Sequence, residues 1–376
     1  VFKHILVTGG AGFIGSHLVD LLLTRGYRVR VLDNLEPQVH GESGRVPDYL
    51  SREAEFIRGD VRDRAALEAA LVGVDAVVHD AAMVGVGQSQ YQVHRYIDTN
   101  VMGTATLLDI LATGKTKVER LLVASSMSIY GEGLYRRPSD GAMCTPTLRP
   151  DSQLDAHDFE MRDPQTGEML EAVPTPESKP LACTSVYAQS KKDQEEYSLI
   201  VARAYGIPTV AARFFNVYGP RQSLSNPYTG AAAIFSSRIK NGNAPLIYED
   251  GKQARDFIDV RDLVRAKLHL LESPAVKIGA VNIGTGRPTS ILELAKQLCI
   301  LYGRPDLEPS IVHRFRNGDI RHCYGDTSQL TELGFTPEIS LEQGLRELVA
   351  WGEREQAVDL TDAAQRELES RGLVSK

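Results

Sequence analysis

The tightest constraint on the fold lies at the start of the chain, where the apolar run Ile5-Leu6-Val7 leads into Thr8-Gly9-Gly10-Ala11-Gly12-Phe13-Ile14-Gly15. Strand, glycine loop and helix follow in the order of a dinucleotide-binding βαβ unit. Gly9 allows the tight turn, Gly12 lets backbone approach a pyrophosphate, and Gly15 lets the helix predicted over 12–25 pack close to the sheet. Phe13 and Ile14, in the first helical turn, offer free N–H groups at the positive end of the helix dipole.

A glycine triplet also suits a purely structural turn, so the context matters. Val29–Leu32 reads as a second strand ending in Asp33-Asn34, an acid about twenty residues beyond the loop, where it accepts ribose hydroxyls. That pattern selects NAD. The 2′-phosphate of NADP, about 4 Å from the Asp33 carboxylate, meets up to roughly 4 kcal/mol of repulsion per unit charge at an effective dielectric of about 20.

The 376 residues suffice for one large or two moderate domains, and 42% hydrophobic with 24% charged residues is ordinary globular composition. A net charge of −7 without a dense Lys/Arg run argues against nucleic acid or an anionic membrane as the main partner. No apolar segment approaches the roughly 20 residues needed to span a bilayer, and no signal-peptide pattern precedes the first strand, so a cytoplasmic location is expected. Cys144, Cys183, Cys299 and Cys323 are widely spaced; they predict free thiols and no metal site.

Predicted strands at 5–7, 29–32, 55–57, 76–79 and 121–124 alternate with helical patterns, which implies an α/β fold with a doubly wound parallel sheet. Asp60-Val61 and His79-Asp80-Ala81-Ala82 close strands at the carboxyl edge, where such a sheet binds ligands. From 133 to 180 periodicity is lost and Pro, Asp, Glu and Thr dominate. This is a long loop or small subdomain, and a stretch this long serves as a lid, a subunit contact or a passive insertion. Regular structure resumes with a helix through Tyr205 and a strand over 208–215. The expected division is a dinucleotide-binding domain over 1–215, to which 256–286 returns, and a smaller α/β lobe from 216–255 and 287–376. Beyond Trp351 an amphipathic surface helix is expected.

Tyr187 and Lys191 stand at i and i+4 on one helix face, close enough for the ammonium to act on the phenol. Bringing a tyrosine from pKa near 10 to about 7 requires roughly 4 kcal/mol of preferential phenolate stabilisation. Lys191 and a positive nicotinamide are able to supply it. Ser125-Ser126-Met127-Ser128 follows an apolar strand and places hydroxyls at the same sheet edge. Each element alone also fits a bland role, a surface Tyr/Lys pair or a serine-capped turn.

Together with Asn100-Val101-Met102-Gly103-Thr104, Arg213–Gly219 and Arg255-Asp256, these motifs make the chain resemble the extended short-chain dehydrogenase/reductase superfamily. Within it, the motifs are closest to the NAD-dependent nucleotide-sugar epimerases and dehydratases, especially the 4-epimerases. The resemblance covers nearly the whole chain. It implies that Ser126, Tyr187 and Lys191 are catalytic, and that Gly9, Gly12, Phe13, Ile14 and Gly15 hold the pyrophosphate. Asp33 and Asn34 would contact ribose, Asp60 and Val61 adenine, and Ala81 and Ala82 would form a wall that Asn100 steadies. Phe214 would join the nicotinamide pocket to the sugar pocket. Val84, Ser126, Met127, Ser128, Asn216, Arg255, Arg316, Asp319 and Cys323 would meet a nucleotide-diphosphate sugar. A homodimer is also implied.

Departures from the family pattern narrow the expected reaction. Sugar-nucleotide 4,6-dehydratases carry an Asp-Glu pair where Met127-Ser128 stand, and 3,5-epimerases a cysteine at the place of Ser128. UDP-galactose 4-epimerases often have a lysine at the place of Val84, and Asp80 stands where an apolar residue is usual. The expectation is NAD-dependent inversion at C4 of a UDP- or dTDP-linked hexose, with dTDP-L-rhamnose, UDP-N-acetylglucosamine and UDP-glucose/galactose as candidates. A net 4-ketoreductase or dehydrogenase and a non-catalytic NAD-binding protein are the alternatives. Cys323, four residues after Asp319, is expected to leave the sugar pocket roomier than a tyrosine there; the alternative is that it merely packs against a neighbouring element.

Overall fold

The computed structural model describes residues 2–375. Its centre is a seven-stranded, wholly parallel sheet. From one edge the order is Ile278–Ile283, Thr209–Phe214, Arg120–Ser126, Ala76–His79, His4–Thr8, Arg28–Asp33 and Glu55–Arg58. The direction of the order reverses beside His4–Thr8, which opens a crevice at the carboxyl ends of the strands. The inner strands Thr209–Phe214, Arg120–Ser126, Ala76–His79 and His4–Thr8 are buried along their whole length, with apolar centres, because both sheet faces are covered. On one face Leu18, Val19 and Leu22 pack with Leu263, Leu270 and Leu271 of the helix Val260–Glu272. On the other, Leu67, Leu107 and Leu111 cover Leu6, Val77 and Leu121.

After Thr209–Phe214 the chain leaves this sheet and builds a second lobe. There Asn216–Tyr218 pairs in parallel with Ala254–Asp259, which also pairs with Pro288–Ser290 and His322–Cys323. Helices Ala231–Lys240, Ile291–Leu301 and Leu341–Gly352 bury Phe235, Leu298 and Leu348 in a separate apolar cluster. Between Ala254–Asp259 and Pro288–Ser290 the chain returns to the first sheet through Val260–Glu272 and the edge strand Ile278–Ile283, and then goes back to complete the second lobe.

The aperiodic stretch is an ordered subdomain. Leu134–Arg136 is flanked antiparallel by Met143–Cys144 and Glu171–Val173, and a short helix spans Asp151–Asp155. Charged residues fix it to the second lobe: Arg149 meets Glu249 at 2.7 Å, while Arg321 meets Glu160 at 2.5 Å and Asp250 at 2.7 Å. Alternation failed as a guide here because strands of two or three residues are too short to show a period. All four cysteines are free. Among the described residues no helix is long and apolar enough to cross a membrane, and no group of three metal-ligating side chains is present.

Candidate active site

A cavity of about 640 Å³ runs along the carboxyl edge of the central sheet and into the second lobe. One end is the glycine loop. Gly9 has φ +69°, and a Cβ on it would stand 2.9 Å from the backbone of Ala81. A Cβ on Gly15 would fall well inside contact distance of the Gly9 carbonyl oxygen. The helix Phe13–Thr24 begins at Gly12 with no side-chain cap, leaving its first N–H groups for an anion. This backbone cradle, unfilled by side chains, fits the pyrophosphate of NAD.

Asp33, at the end of its strand, is buried and oriented by backbone: Oδ2 accepts from Ala11 N at 3.0 Å and Oδ1 from Leu35 N at 2.8 Å. Its fixed charge would oppose a 2′-phosphate. The repulsion of up to about 4 kcal/mol, weakened by salt, predicts NADP binding roughly 100-fold weaker than NAD, a gap that Asp33→Asn should narrow to about tenfold. Calorimetric titration with both nucleotides checks this, and equal affinities for the unmodified protein would contradict it.

Beyond Asp33, Asn34 Nδ2 donates to Asp60 Oδ2 at 2.9 Å. Hydrogen bonds from Arg62 hold the Asp60 carboxyl well below the usual range, at about 2. Asn34, Asp60 and Val61 line the cavity here, as do Ala81, Ala82 and Val84 farther along. Asn100 lies behind that wall on a π-helical turn, Ile97–Met102. It accepts from Met83 N at 2.7 Å and donates to Met83 O at 3.0 Å and Ser190 Oγ at 2.9 Å, which ties the wall to the helix Val186–Tyr205.

That helix starts on Ser185, whose side chain accepts from Ala188 N, so Tyr187 falls in its first turn and Lys191 one turn later. Both line the cavity with Ser126, Met127, Ser128 and Phe214. Ser126 ends the strand Arg120–Ser126 and caps the following 3₁₀ turn; its Oγ accepts from Ser128 N at 3.2 Å and Ser128 Oγ at 2.9 Å. Burial raises the Tyr187 pKa, against the pull of the Ser126 hydroxyl. Burial lowers Lys191 to about 8. The phenol is therefore not a ready base by itself, and positive charge must lower its pKa.

In the second lobe, Arg255 is held by the carbonyl oxygens of Ala254, Arg321 and Ile320 at 2.7 to 2.9 Å. Arg316 pairs with Asp319 at 2.7 Å and lies over the Tyr248 ring, 4.6 Å from its centroid. Asn216 Oδ1 is buried with no hydrogen-bond partner among the described residues. Two arginines, an aromatic face and an open amide suit an anionic nucleotide. Asn216, Arg255, Arg316 and Asp319 all line the cavity.

Cys323 does not line it, which corrects its assignment to the sugar pocket. It is 1% exposed and packs with Met127, Tyr130 and Phe215 one layer behind the wall. Pairing of its strand beside Ala254-Arg255 turns the thiol into this cluster. Missed from sequence were Tyr228, Tyr248 and the C-terminal helix Thr361–Ser370, whose Thr361, Ala364, Gln365 and Leu368 form part of the cavity wall. The amphipathic pattern announced that helix but not the surface its apolar face would cover.

The sequence model of the NAD dependent epimerase/dehydratase family matches residues 5–156 and 164–284. A dTDP-L-rhamnose 4-epimerase of Burkholderia thailandensis is 38% identical over 352 residues, 93% of this chain and 94% of that protein. Among solved structures, the UDP-glucose 4-epimerase of Thermotoga maritima, determined with UDP-glucose, superposes with a TM-score of 0.75 at 33% identity, covering 94% of this chain and 99% of that one. The UDP-glucose 4-epimerase of Thermus thermophilus in complex with NAD gives 0.73 at 29% identity, covering 94% of this chain and all of that one. With its glycine cradle, its Ser126, Tyr187 and Lys191 on one cavity and this match along most of its length, the chain belongs to the NAD-dependent epimerase/dehydratase family.

Proposed function

We infer that the protein is an NAD-dependent nucleotide-sugar 4-epimerase. The observation that carries this reading is one continuous cavity holding the glycine cradle, the Ser126, Tyr187 and Lys191 side chains, and the Arg255 and Arg316 guanidinium groups. Met127 and Ser128, where an acid pair would serve dehydration, leave no carboxylate there to expel water from the sugar.

NAD, held by the glycine cradle and Asp33, would supply a two-electron acceptor for hydride from the sugar C4 and the donor for its return to the opposite face, with no net redox change. Tyr187 removes the C4 hydroxyl proton and later restores it, acting as base and then acid. Ser126 donates a hydrogen bond to the same oxygen, which is a carbonyl midway through the reaction. Lys191 lowers the pKa of Tyr187 and holds the cofactor ribose. Arg255 and Arg316 retain the diphosphate while the 4-keto sugar turns.

Val84 and Met127 give the sugar end an apolar character, which favours a 6-deoxy hexose, and the similarity to the Burkholderia enzyme supports dTDP-L-rhamnose as substrate. Incubation with dTDP-L-rhamnose, UDP-N-acetylglucosamine and UDP-glucose separately, followed by proton NMR of the products, should show a C4 epimer from the first at the highest kcat/KM. Stoichiometric change in absorbance at the NADH band would instead mark a net oxidoreductase.

The proposed assembly is a homodimer in the cytoplasm. Ile97 and Met102 on the π-helical segment and Tyr197 and Ile200 on Val186–Tyr205 are exposed apolar side chains on two elements packed together, a patch of the kind that subunit contact covers. Light scattering should give twice the 41.3 kDa chain mass, and Ile200→Lys should shift it toward the monomer.

A further inference from the structure

The wall that Thr361, Ala364, Gln365 and Leu368 add to the cavity is attached unevenly to the two lobes. To the second lobe it is tied at both ends. Asp359 and Asp362, flanking the start of the helix Thr361–Ser370, meet Arg238 of Ala231–Lys240 at 3.4 and 2.7 Å. At the other end Glu369 meets Arg314 at 2.6 Å, and the backbone that follows pairs antiparallel with the segment carrying Arg316. Ser375 N donates to Phe315 O at 2.9 Å and Asn317 N to Leu373 O at 3.1 Å, with Arg316 opposite Val374. Against the first lobe the contacts are lighter. Leu368 rests on the short helix Val86–Ser89, where a Cβ on Gly87 would stand 3.4 Å from both Leu368 δ-carbons. The Arg371 guanidinium lies 4.3 Å from the centroid of the Tyr91 ring, whose hydroxyl is 2.7 Å from that of Tyr228 in the cavity wall. Within the helix Leu368 is the buried side chain, and its neighbours are half-buried or exposed. An element held by so little apolar contact is of the kind that opens locally.

We propose that Thr361–Ser375 is part of the substrate site: a strap, carried by the second lobe, that lies over the bound nucleoside diphosphate, sets the position of Arg316 and closes on Gly87 and Tyr91 of the first lobe. The inference rests on the reading of Arg255 and Arg316 as the groups that hold the diphosphate. Arg316 stands on backbone that is irregular from 312 to 320 apart from its bridge to Val374, so its direction is inherited from the strap rather than from a helix or a sheet. Leu368 meets Gly87, close along the chain to Val84 at the sugar end, whereas Glu369 and Val374 stand at Arg314 and Arg316; the strap thus spans the substrate half of the cavity. Gln365 Nε2 donates to Glu369 Oε1 at 2.8 Å, which leaves the amide oxygen of this cavity residue to accept from a hydroxyl or N–H of the nucleotide. A sugar that turns between two hydride transfers needs room at C4 and a firm hold elsewhere. A roof tied across both lobes above the diphosphate gives that hold without crowding the ring.

The test uses dTDP and UDP as probes of the NAD-loaded protein. Hydrogen exchange in the peptide 361–375 should slow about tenfold when either diphosphate saturates the site, because binding suppresses local opening. Leu368→Ala/Arg371→Ala, which weakens both contacts with the first lobe, should raise the Kd for the diphosphate and the KM for the sugar nucleotide about tenfold, with kcat and the Kd for NAD changed less than about twofold. General damage to packing would not give that split. Arg366→Ala, at an exposed position on the same helix, should change none of these values. Should the double variant fail to fold, Arg371→Ala alone should still weaken diphosphate binding about threefold through loss of the contact with Tyr91. Exchange unmoved by both diphosphates, unchanged diphosphate affinity in the folded variant, or losses shared equally by kcat and NAD binding would overturn the proposal. The exchange and binding measurements need no turnover: protection and weakened diphosphate affinity with no sugar epimerised would defeat the 4-epimerase reading alone, and turnover with unmoved exchange would defeat the strap alone.

Discussion

Tyr187→Phe is expected to lower kcat by about three orders of magnitude, in the range that loss of a positioned acid/base produces, while leaving the fold and the affinity for NAD unchanged. The substitution removes one oxygen and keeps the ring. That ring meets Tyr96 edge-on at 6.4 Å, and the Tyr187 backbone N–H donates to Ser89 Oγ at 3.0 Å; neither contact needs the phenol. Proton transfer at the sugar C4 oxygen does need it. Initial rates with the preferred sugar nucleotide and a parallel titration with NAD decide the matter. More than about a tenth of the unmodified rate, with NAD binding intact, would remove Tyr187 from the role of base.

Arg321→Met should have the largest effect on stability, about 3 to 5 kcal/mol, because removing one member of a buried ionic cluster strands the others. Arg321 is completely buried and reaches Glu160, Glu249 and Asp250 at 2.5 to 2.9 Å. Arg149 would still face Glu249, but Asp250 and Glu160 would lose their guanidinium. The acid side follows from the same cluster. The His322 hydrogen bond, then Arg321, holds the Glu160 carboxyl down to about 2. Its contribution is therefore complete above the unfolded carboxyl value of about 4.5 and is lost as pH falls toward 2. Urea unfolding at neutral pH should show the lower midpoint, and acid titration should show Arg321→Met unfolding at higher pH than the unmodified protein. An unchanged midpoint would mean that the cluster does not hold the subdomain in place.

The central sheet and the cofactor end of the cavity were readable in the sequence because their signals are local. The loop Gly9–Gly15, the acid at Asp33 and the Tyr187/Lys191 spacing each declare a backbone shape or a helix face within a few residues. What remained hidden depends on partners far away in the chain. Nothing near Arg149 announces Glu249, and nothing near Asp80 announces Lys267, its buried ion-pair partner. Cys323 shows the opposite error: its match to a family position that often carries a pocket-closing tyrosine suggested a place beside the sugar, but strand pairing turned its side chain inward. The wall formed by Gln365 and Leu368 was missed for a similar reason, since an amphipathic helix specifies that one face will be covered and leaves open by what.

The order of the strands in the central sheet also governs how the molecule can be made. Thr209–Phe214 obtains its outer neighbour only when the chain has passed through the first part of the second lobe and laid down Ile278–Ile283. During synthesis, the backbone N–H and C=O groups along one side of that strand remain open while the whole intervening segment emerges, a template for pairing with another nascent chain. The two lobes therefore cannot mature as independent folding units cut at Phe214. A fragment ending there would expose a long apolar edge, and it should aggregate where the full chain remains dispersed.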